Sequence, residues 1–277
     1  MGDDRIDRLT EPGHLRDTAY HDESLIRKRQ ALYEFTFPRY VVDDEAITLL
    51  ELSKARSLLD VGCGGGRLVM KVADHFPSVN VLGVDIASGM FEAAQVEAEK
   101  RQLSVKFQVE DVQQLSFPDN SFDRVSALHM IYHAPDIPSA LAELKRVVIP
   151  HGLVLLTVNS VRSKPALREM KKEVAAFLGG ADYPDTTSRF NLENGVEALR
   201  RFFSRVEVIP FESRLRLSHS QPYVDYFDST RDFWSPYPSD ESWRKALAHV
   251  QQRVDKEIVA KGRFDETNLF GALLAFP

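Results

Sequence analysis

An apolar run that ends in a carboxylate and then meets four glycines within five positions restricts the fold of this chain more than any other feature. It reads Leu58-Leu59-Asp60-Val61-Gly62-Cys63-Gly64-Gly65-Gly66-Arg67. Short apolar runs of this kind suit a buried strand. Glycine lets the backbone turn sharply and lets a ligand approach without a Cβ in the way. A helical pattern follows over residues 67–76, so the segment reads strand, glycine turn, helix, the layout of a nucleotide-type site. About 20 residues on, the next apolar run closes on Asp85, where an open α/β sheet sets a carboxylate to accept ribose hydroxyls.

The alternation continues down the chain. Strands are predicted at 57–61, 80–84, 105–109, 122–128 and 152–158. The last has almost no polar residue, as expected of a strand covered on both faces. Helices are predicted at 67–76, at 88–101 with Ser88 as N-cap, and at 137–148. This repeating βα pattern specifies an α/β fold, doubly wound around a mostly parallel sheet with right-handed crossovers. A helix at 192–203 and strands at 206–211 and 270–276 extend it. Two stretches, 160–189 and about 218–263, are too long for plain loops and should carry helices of their own. The expected organisation is an N-terminal helical lid (1–45) and a cofactor-binding domain (46–217, with the 160–189 insertion). A helical, aromatic-rich cap (218–265) and a last core strand (266–277) complete it.

Composition narrows the function. The chain is 43% hydrophobic and 27% charged, ordinary for a soluble globular protein, and its net charge of -6 disfavours a nucleic-acid partner. Cys63 is the only cysteine, so no internal disulfide forms. The charged start lacks the apolar run of a signal peptide, and no run is long enough to span a bilayer. A cytoplasmic location with no membrane partner and no metal is the expectation. Oligomeric state is not readable.

Electrostatics separates two cofactor classes. Arg67 stands where the dinucleotide fingerprint wants its third glycine, and Asp60 ahead of the glycines repels a pyrophosphate. The same carboxylate suits a ligand with an ammonium and a sulfonium and no phosphate, namely S-adenosyl-L-methionine (product S-adenosyl-L-homocysteine), over NAD.

The resemblance then becomes specific. Residues 60–66 resemble the first motif of class I S-adenosylmethionine-dependent methyltransferases. Gly83-Val84-Asp85-Ile86-Ala87-Ser88-Gly89-Met90 resembles their second. Glu110-Asp111-Val112, with Leu115 to Asp123 after it, resembles the third region, and Leu144 to Leu155 a later run; the matched block spans about 57–158. The resemblance implies a seven-stranded sheet whose last strand is antiparallel. It also implies a cofactor held by Asp60, Gly62, Cys63, Gly64, Asp85, Ile86, Met90, Asp111, Val112 and His129. Asp85 would hold the ribose, Ile86 and Val112 would pack on adenine, and Asp111 would face its amino group unless Glu110 takes that role.

The acceptor is a small molecule on this reading. The Asn/Asp-Pro-Pro-Tyr of amino-methylating nucleic-acid enzymes is replaced by Ala127-Leu128-His129-Met130. His129 and His133, near the end of the fourth strand, are candidates for a base or a substrate contact, although positioning alone can carry methyl transfer. Tyr20, Tyr33, Tyr223 and Trp234 are candidates to line the acceptor pocket. Arg214, Arg216 and Arg231 suit a carboxylate, while an acidic cap suits an amine, and methyl transfer to O, N or C stays open. Two alternatives stand beside this reading: an NAD(P)-dependent oxidoreductase, and a non-catalytic S-adenosylmethionine-binding protein on the same sheet.

Overall fold

A computed structural model describes residues 23–181, 183 and 185–277. Tyr20, a candidate pocket residue, lies outside the described residues, as does the first part of the segment expected to form the lid. The sheet is built from β1 (Thr36–Phe37), β2 (Ser57–Val61), β3 (Asn80–Asp85), β4 (Val105–Val109) and β5 (Phe122–Leu128). β6 (Val148–Asn159), β7 (Arg205–Leu217) and β8 (Phe264–Phe276) complete it. The helices are α1 (Glu23–Ala31), α2 (Val42–Leu50), α3 (Arg67–His75), α4 (Glu92–Lys100) and α5 (Ile137–Val147). They are followed by α6 (Pro165–Phe177), α7 (Gly195–Arg200), α8 (Gln221–Asp228) and α9 (Asp240–Lys261).

The strand order is β1-β7-β8-β6-β5-β2-β3-β4. From β4 to β6 every pairing is parallel, whereas β8 joins β6 and β7 antiparallel. The chain winds outward through β2, β3 and β4, then returns to β5 on the other side of β2. That reversal opens a crevice at the carboxyl ends of the central strands, the usual ligand position in such sheets. Two apolar cores cover the faces, one around Leu59, Val125, Leu144 and Leu156, the other around Leu58, Val69, Val72 and Leu155.

Several expectations need correction. An eighth strand, β1, adds to the expected seven by pairing Thr36 and Phe37 with Leu215 and Arg214; two residues are too short to carry a periodic signal. Ser88 does not cap a helix. It opens a 3-10 turn, Ser88–Met90, and α4 starts only at Glu92 with no side-chain cap. The turn is set instead by Asp85 Oδ1, which accepts the Ala87 N–H at 3.0 Å. The helix expected at 192–203 is shorter (α7), because Asn191 and Asn194 close a local turn before it, each side-chain oxygen accepting the other's backbone N–H.

β7 and β8 are also longer than expected, pairing along their full length from Arg205↔Phe276 to Leu217↔Phe264. Only the Phe270 to Ala275 part of β8 lies against β6. The outer half of the ribbon projects past the parallel sheet and meets a third core. That core unites Leu32 with Leu167, Met170 and Val174 of α6, Tyr223 and Phe227 of α8, and Trp243 and Val250 of α9. The segments read separately as an N-terminal element, an insertion and a cap thus share one helical layer. No helix among the described residues is long and apolar enough to cross a membrane.

Candidate active site

A single cavity of about 1020 Å³ runs from the glycine turn to the helical layer. At the first end β2 delivers the chain into a turn where Gly62 and Gly64 have φ of 69° and 51°. These left-handed values favour glycine. At Gly62 a Cβ would also come within 2.6 Å of Met130 Cγ. The Gly62 and Cys63 N–H groups donate to Val84 O at 2.8 and 3.0 Å, which stitches the turn to the end of β3. Gly64 N–H donates to Asp85 Oδ2 at 2.9 Å. Asp85 therefore organises both the glycine turn and its own turn, with lone pairs to spare for a ligand. Burial pushes its carboxyl up, against the backbone N–H groups of Ala87, Gly64 and Ile86 that stabilise the charge.

Asp60 is 3% exposed, and Oδ1 accepts the Ser126 hydroxyl at 2.6 Å. Burial raises its pKa to about 7, with Asp43 and Asp85 adding to the rise and the Ser126 bond opposing it. A buried carboxylate with no ion pair among the described residues is an unfavourable arrangement that a cationic ligand relieves. Cys63 is buried with its thiol pushed well up by desolvation, so it is not an activated nucleophile.

Ile86, Met90 and Val112 line the cavity. Asp111 and Glu110 both reach it, but each is engaged locally. Asp111 Oδ1 accepts the Gln113 N–H at 2.8 Å, while Glu110 Oε2 accepts the Ser116 N–H at 3.0 Å.

His129, directly after β5, and His133, which closes the 3-10 turn Ile131–His133, also line the cavity. His129 has φ of 52° and lies 5.8 Å from the Phe270 ring. Burial, then the nearby Lys164 charge, lowers its pKa to about 4. The ring is therefore neutral at pH 7. His133 packs on Tyr132 at 4.7 Å.

The far end is walled by the helical layer, with Tyr33, Lys171, Tyr183 and Tyr226 facing the space and Asn268 and Phe270 contributed by β8. Tyr33 is where a pocket residue was expected. Tyr223 and Trp234 are not on the wall. Tyr223 is 0% exposed and donates its hydroxyl to Glu266 Oε1 at 2.5 Å, and Trp234 is 2% exposed behind Tyr183 at 5.1 Å. Both belong to the third core, because their rings face α9 and the ribbon. The three arginines are likewise turned away: Arg214 and Arg216 pair with Asp265, and Arg231 with Asp240.

Comparisons with known proteins agree with this layout. The family described as Methyltransferase domain matches residues 59–156. Over 198 residues the chain is 32% identical to a ubiquinone biosynthesis O-methyltransferase of Coxiella burnetii, covering 68% of this chain and 76% of that protein. The chain belongs to the class I S-adenosylmethionine-dependent methyltransferases.

A demethylmenaquinone methyltransferase of Thermus thermophilus is 35% identical over 136 residues, 47% of this methyltransferase and 62% of the relative. In fold, the enzyme matches phosphoethanolamine N-methyltransferase 2 of Haemonchus contortus, solved with S-adenosylhomocysteine. The TM-score is 0.59 at 19% identity, over 97% of this chain and 60% of the other.

Sequence reasoning missed Lys171, Lys164 and Tyr183 of this methyltransferase. One signal was available. Leu167, Met170 and Val174 form the buried stripe of α6, and Lys171 falls at helical spacing within it. A lysine on an apolar stripe faces either a carboxylate or a cavity.

Proposed function

We propose that the two ends of the cavity divide the reaction, cofactor at the glycine turn and a small-molecule methyl acceptor under the helical layer. The observation that carries this is the continuity of one cavity between the Asp60–Gly64 turn with Asp85 and the tyrosine-lined end. The residues fit the cofactor. A buried carboxylate without a cation suits an ammonium, Asp85 has acceptor capacity for hydroxyls, and Ile86, Met90 and Val112 offer apolar faces to a base. When bound, S-adenosylmethionine supplies a methyl carbon activated by positive sulfur.

The chain's own residues position, desolvate and orient. Asp60, Gly62 and Gly64 hold the cofactor's amino acid end, and Asp85 its ribose. Asp111 serves the adenine, with Glu110, which also reaches the cavity, as the alternative. α1, α6 and α8 close the acceptor end and exclude water, which strengthens every polar contact inside. His129, neutral at pH 7, accepts a hydrogen bond from an acceptor O–H or N–H and aims its lone pair. His133 contacts substrate at the rim.

Relatives named for O-, C- and N-methylation support a small-molecule acceptor and leave the atom open. With one cysteine and net charge -6, the enzyme fits the cytoplasm and has no call for nucleic acid. Arg67 does not serve a pyrophosphate: it donates to Gln30 Oε1 and Asp43 Oδ2, both at 2.7 Å, joining α3 to α1 and α2. Titration calorimetry with S-adenosylmethionine, S-adenosylhomocysteine and NADH tests the reading. Binding of the first two without the third is expected; binding of NADH alone would refute it.

A further inference from the structure

The acceptor end of the cavity holds more hydrogen-bond donors than the protein uses. Lys171 makes no ion pair or hydrogen bond among the described residues; its ammonium lies 3.7 Å from the centre of the Tyr183 ring. The hydroxyls of Tyr33, Tyr183 and Tyr226 have no hydrogen-bond partner there either, yet all three residues line the cavity. Polar groups this sheltered are normally paired. Their convergence without partners marks the place of a ligand that accepts hydrogen bonds.

Charge says which kind. Lys164, at the start of α6, places its ammonium 5.0 Å from the centre of the Tyr33 ring and donates to Asn268 Oδ1 at 3.1 Å. Arg29 of α1 faces the same space. Among the described residues two carboxylates stand against these cations, to which Arg168 adds its charge. Glu266 is engaged by the Tyr223 hydroxyl and by the Ala166 N–H at 3.0 Å. Asp185 lines the cavity and accepts the Thr187 N–H at 3.1 Å. The balance is positive, and burial pulls the Lys171 and Lys164 ammoniums below their usual range. Desolvated cations of this kind are stabilised by an anion brought into contact.

We infer that the methyl acceptor carries an anionic oxygen group, carboxylate or phosphate, which docks on Lys171 and the Tyr33, Tyr183 and Tyr226 hydroxyls. Lys164 and Arg29 supply field from behind. The anchored acceptor then points its nucleophilic atom toward His129 and the cofactor end. This explains why Lys171 sits on a buried stripe, and it replaces Arg214, Arg216 and Arg231 as the source of acceptor charge selectivity. The inference rests on the methyltransferase reading, and its test keeps the two apart.

The protein saturated with S-adenosylhomocysteine is titrated by calorimetry with inorganic phosphate, benzoate and benzamide at fixed ionic strength. Saturable binding of phosphate or benzoate is expected, with benzamide far weaker; whichever anion binds identifies phosphate or carboxylate as the head group. Lys171→Gln should weaken that anion about tenfold or more, and Tyr226→Phe about threefold to tenfold. Affinity for S-adenosylhomocysteine should stay within about twofold in both, which also reports that they are folded. Tyr226→Phe removes one oxygen and decides the matter if Lys171→Gln does not fold. No binding of either anion, equal binding of benzamide, or variants that bind the anion as the parent does would overturn the inference. Failure of S-adenosylhomocysteine to bind the parent protein would instead count against the methyltransferase reading.

Discussion

The two ends of the cavity are built by opposite strategies. At the glycine turn the backbone does most of the work. Val84 O, the Gly64 N–H, the Ala87 N–H and the Asp85 carboxylate close on one another within a short span of chain. Under the helical layer the wall is side chains from α1, α6, α8 and β8, where Lys171 and the hydroxyls of Tyr33, Tyr183 and Tyr226 make no hydrogen bond among the described residues. The first end is preorganised for one ligand whatever the acceptor. The second is a set of donors whose spacing is free to change without disturbing the first. A cofactor used by many enzymes and an acceptor particular to one call for this division.

The contrast can be broken by experiments of decreasing expected size. Asp85→Ala removes the proposed ribose contact and the acceptor of two backbone N–H groups at once. It should weaken S-adenosylhomocysteine by about a hundredfold and leave benzoate or phosphate binding within about threefold, by calorimetry. If both ligands suffer alike, the two ends are not independent.

Asp60 sharpens the comparison through pH. Its carboxyl has a pKa near 7 when folded, far above that of an unfolded aspartate. From about pH 4 to pH 7 the folded state holds a proton that the unfolded chain has lost. On this group alone, stability is greatest at low pH and declines as pH rises through 7. A cationic ligand requires the ionised form, so cofactor affinity should fall about tenfold between pH 8 and pH 6. Asp60→Asn should abolish that pH dependence and bind cofactor about tenfold more weakly at pH 8. The ligand-free variant should also melt higher than the parent at pH 8, by a smaller margin at pH 5, and no higher at pH 4. A flat affinity profile in the parent enzyme would detach Asp60 from the cofactor.

His129 stands between the two ends. Because its φ is 52°, asparagine is the substitution the backbone tolerates best. His129→Asn should lower kcat by about tenfold to a hundredfold with an acceptor found by screening anionic small molecules, with cofactor affinity nearly unchanged. Unchanged turnover would reduce His129 to packing against Phe270. The smallest effect belongs to Tyr223. Tyr223→Phe should cost about 1–2 kcal/mol through the lost bond to Glu266, a Tm lower by roughly 2–8 °C, with both ligands bound as before. A loss of anion binding would return Tyr223 to the acceptor wall.

The same division decided what was legible in the sequence. β2, β4 and β5 were read to the residue: β2 is a buried run stopped by the glycines, β4 alternates Val105, Phe107 and Val109 with Lys106 and Gln108, and β5 follows a turn at Pro118 to Ser121. The cofactor end was legible because its parts lie in sequence order within one motif block. The outer halves of β7 and β8 were not. Stretches such as Glu212-Ser213-Arg214 and Asp265-Glu266-Thr267-Asn268 look like loop, although they alternate inward and outward faces on an antiparallel ribbon. The acceptor wall was hidden for a different reason. Tyr33, Lys171, Tyr183 and Tyr226 come from four segments whose meeting depends on the third core, and aromatic density alone pointed to Tyr223 and Trp234, which serve that core.

The ribbon carries one more consequence, for synthesis. β8 is the last strand in chain order, yet it lies between β6 and β7. While the ribosome is still making α9, β6 has an unfilled edge and β7 has no neighbour on its inner side. The pairing that joins Val154 of β6 to Ala275 of β8 bridges 121 residues of sequence. Such contacts close late and slowly. A nascent chain can therefore assemble its β2–β6 half early, while the acceptor end comes into being only when the final strand inserts. Chaperone dependence and aggregation, if this enzyme shows them, should be traced to that unfilled slot.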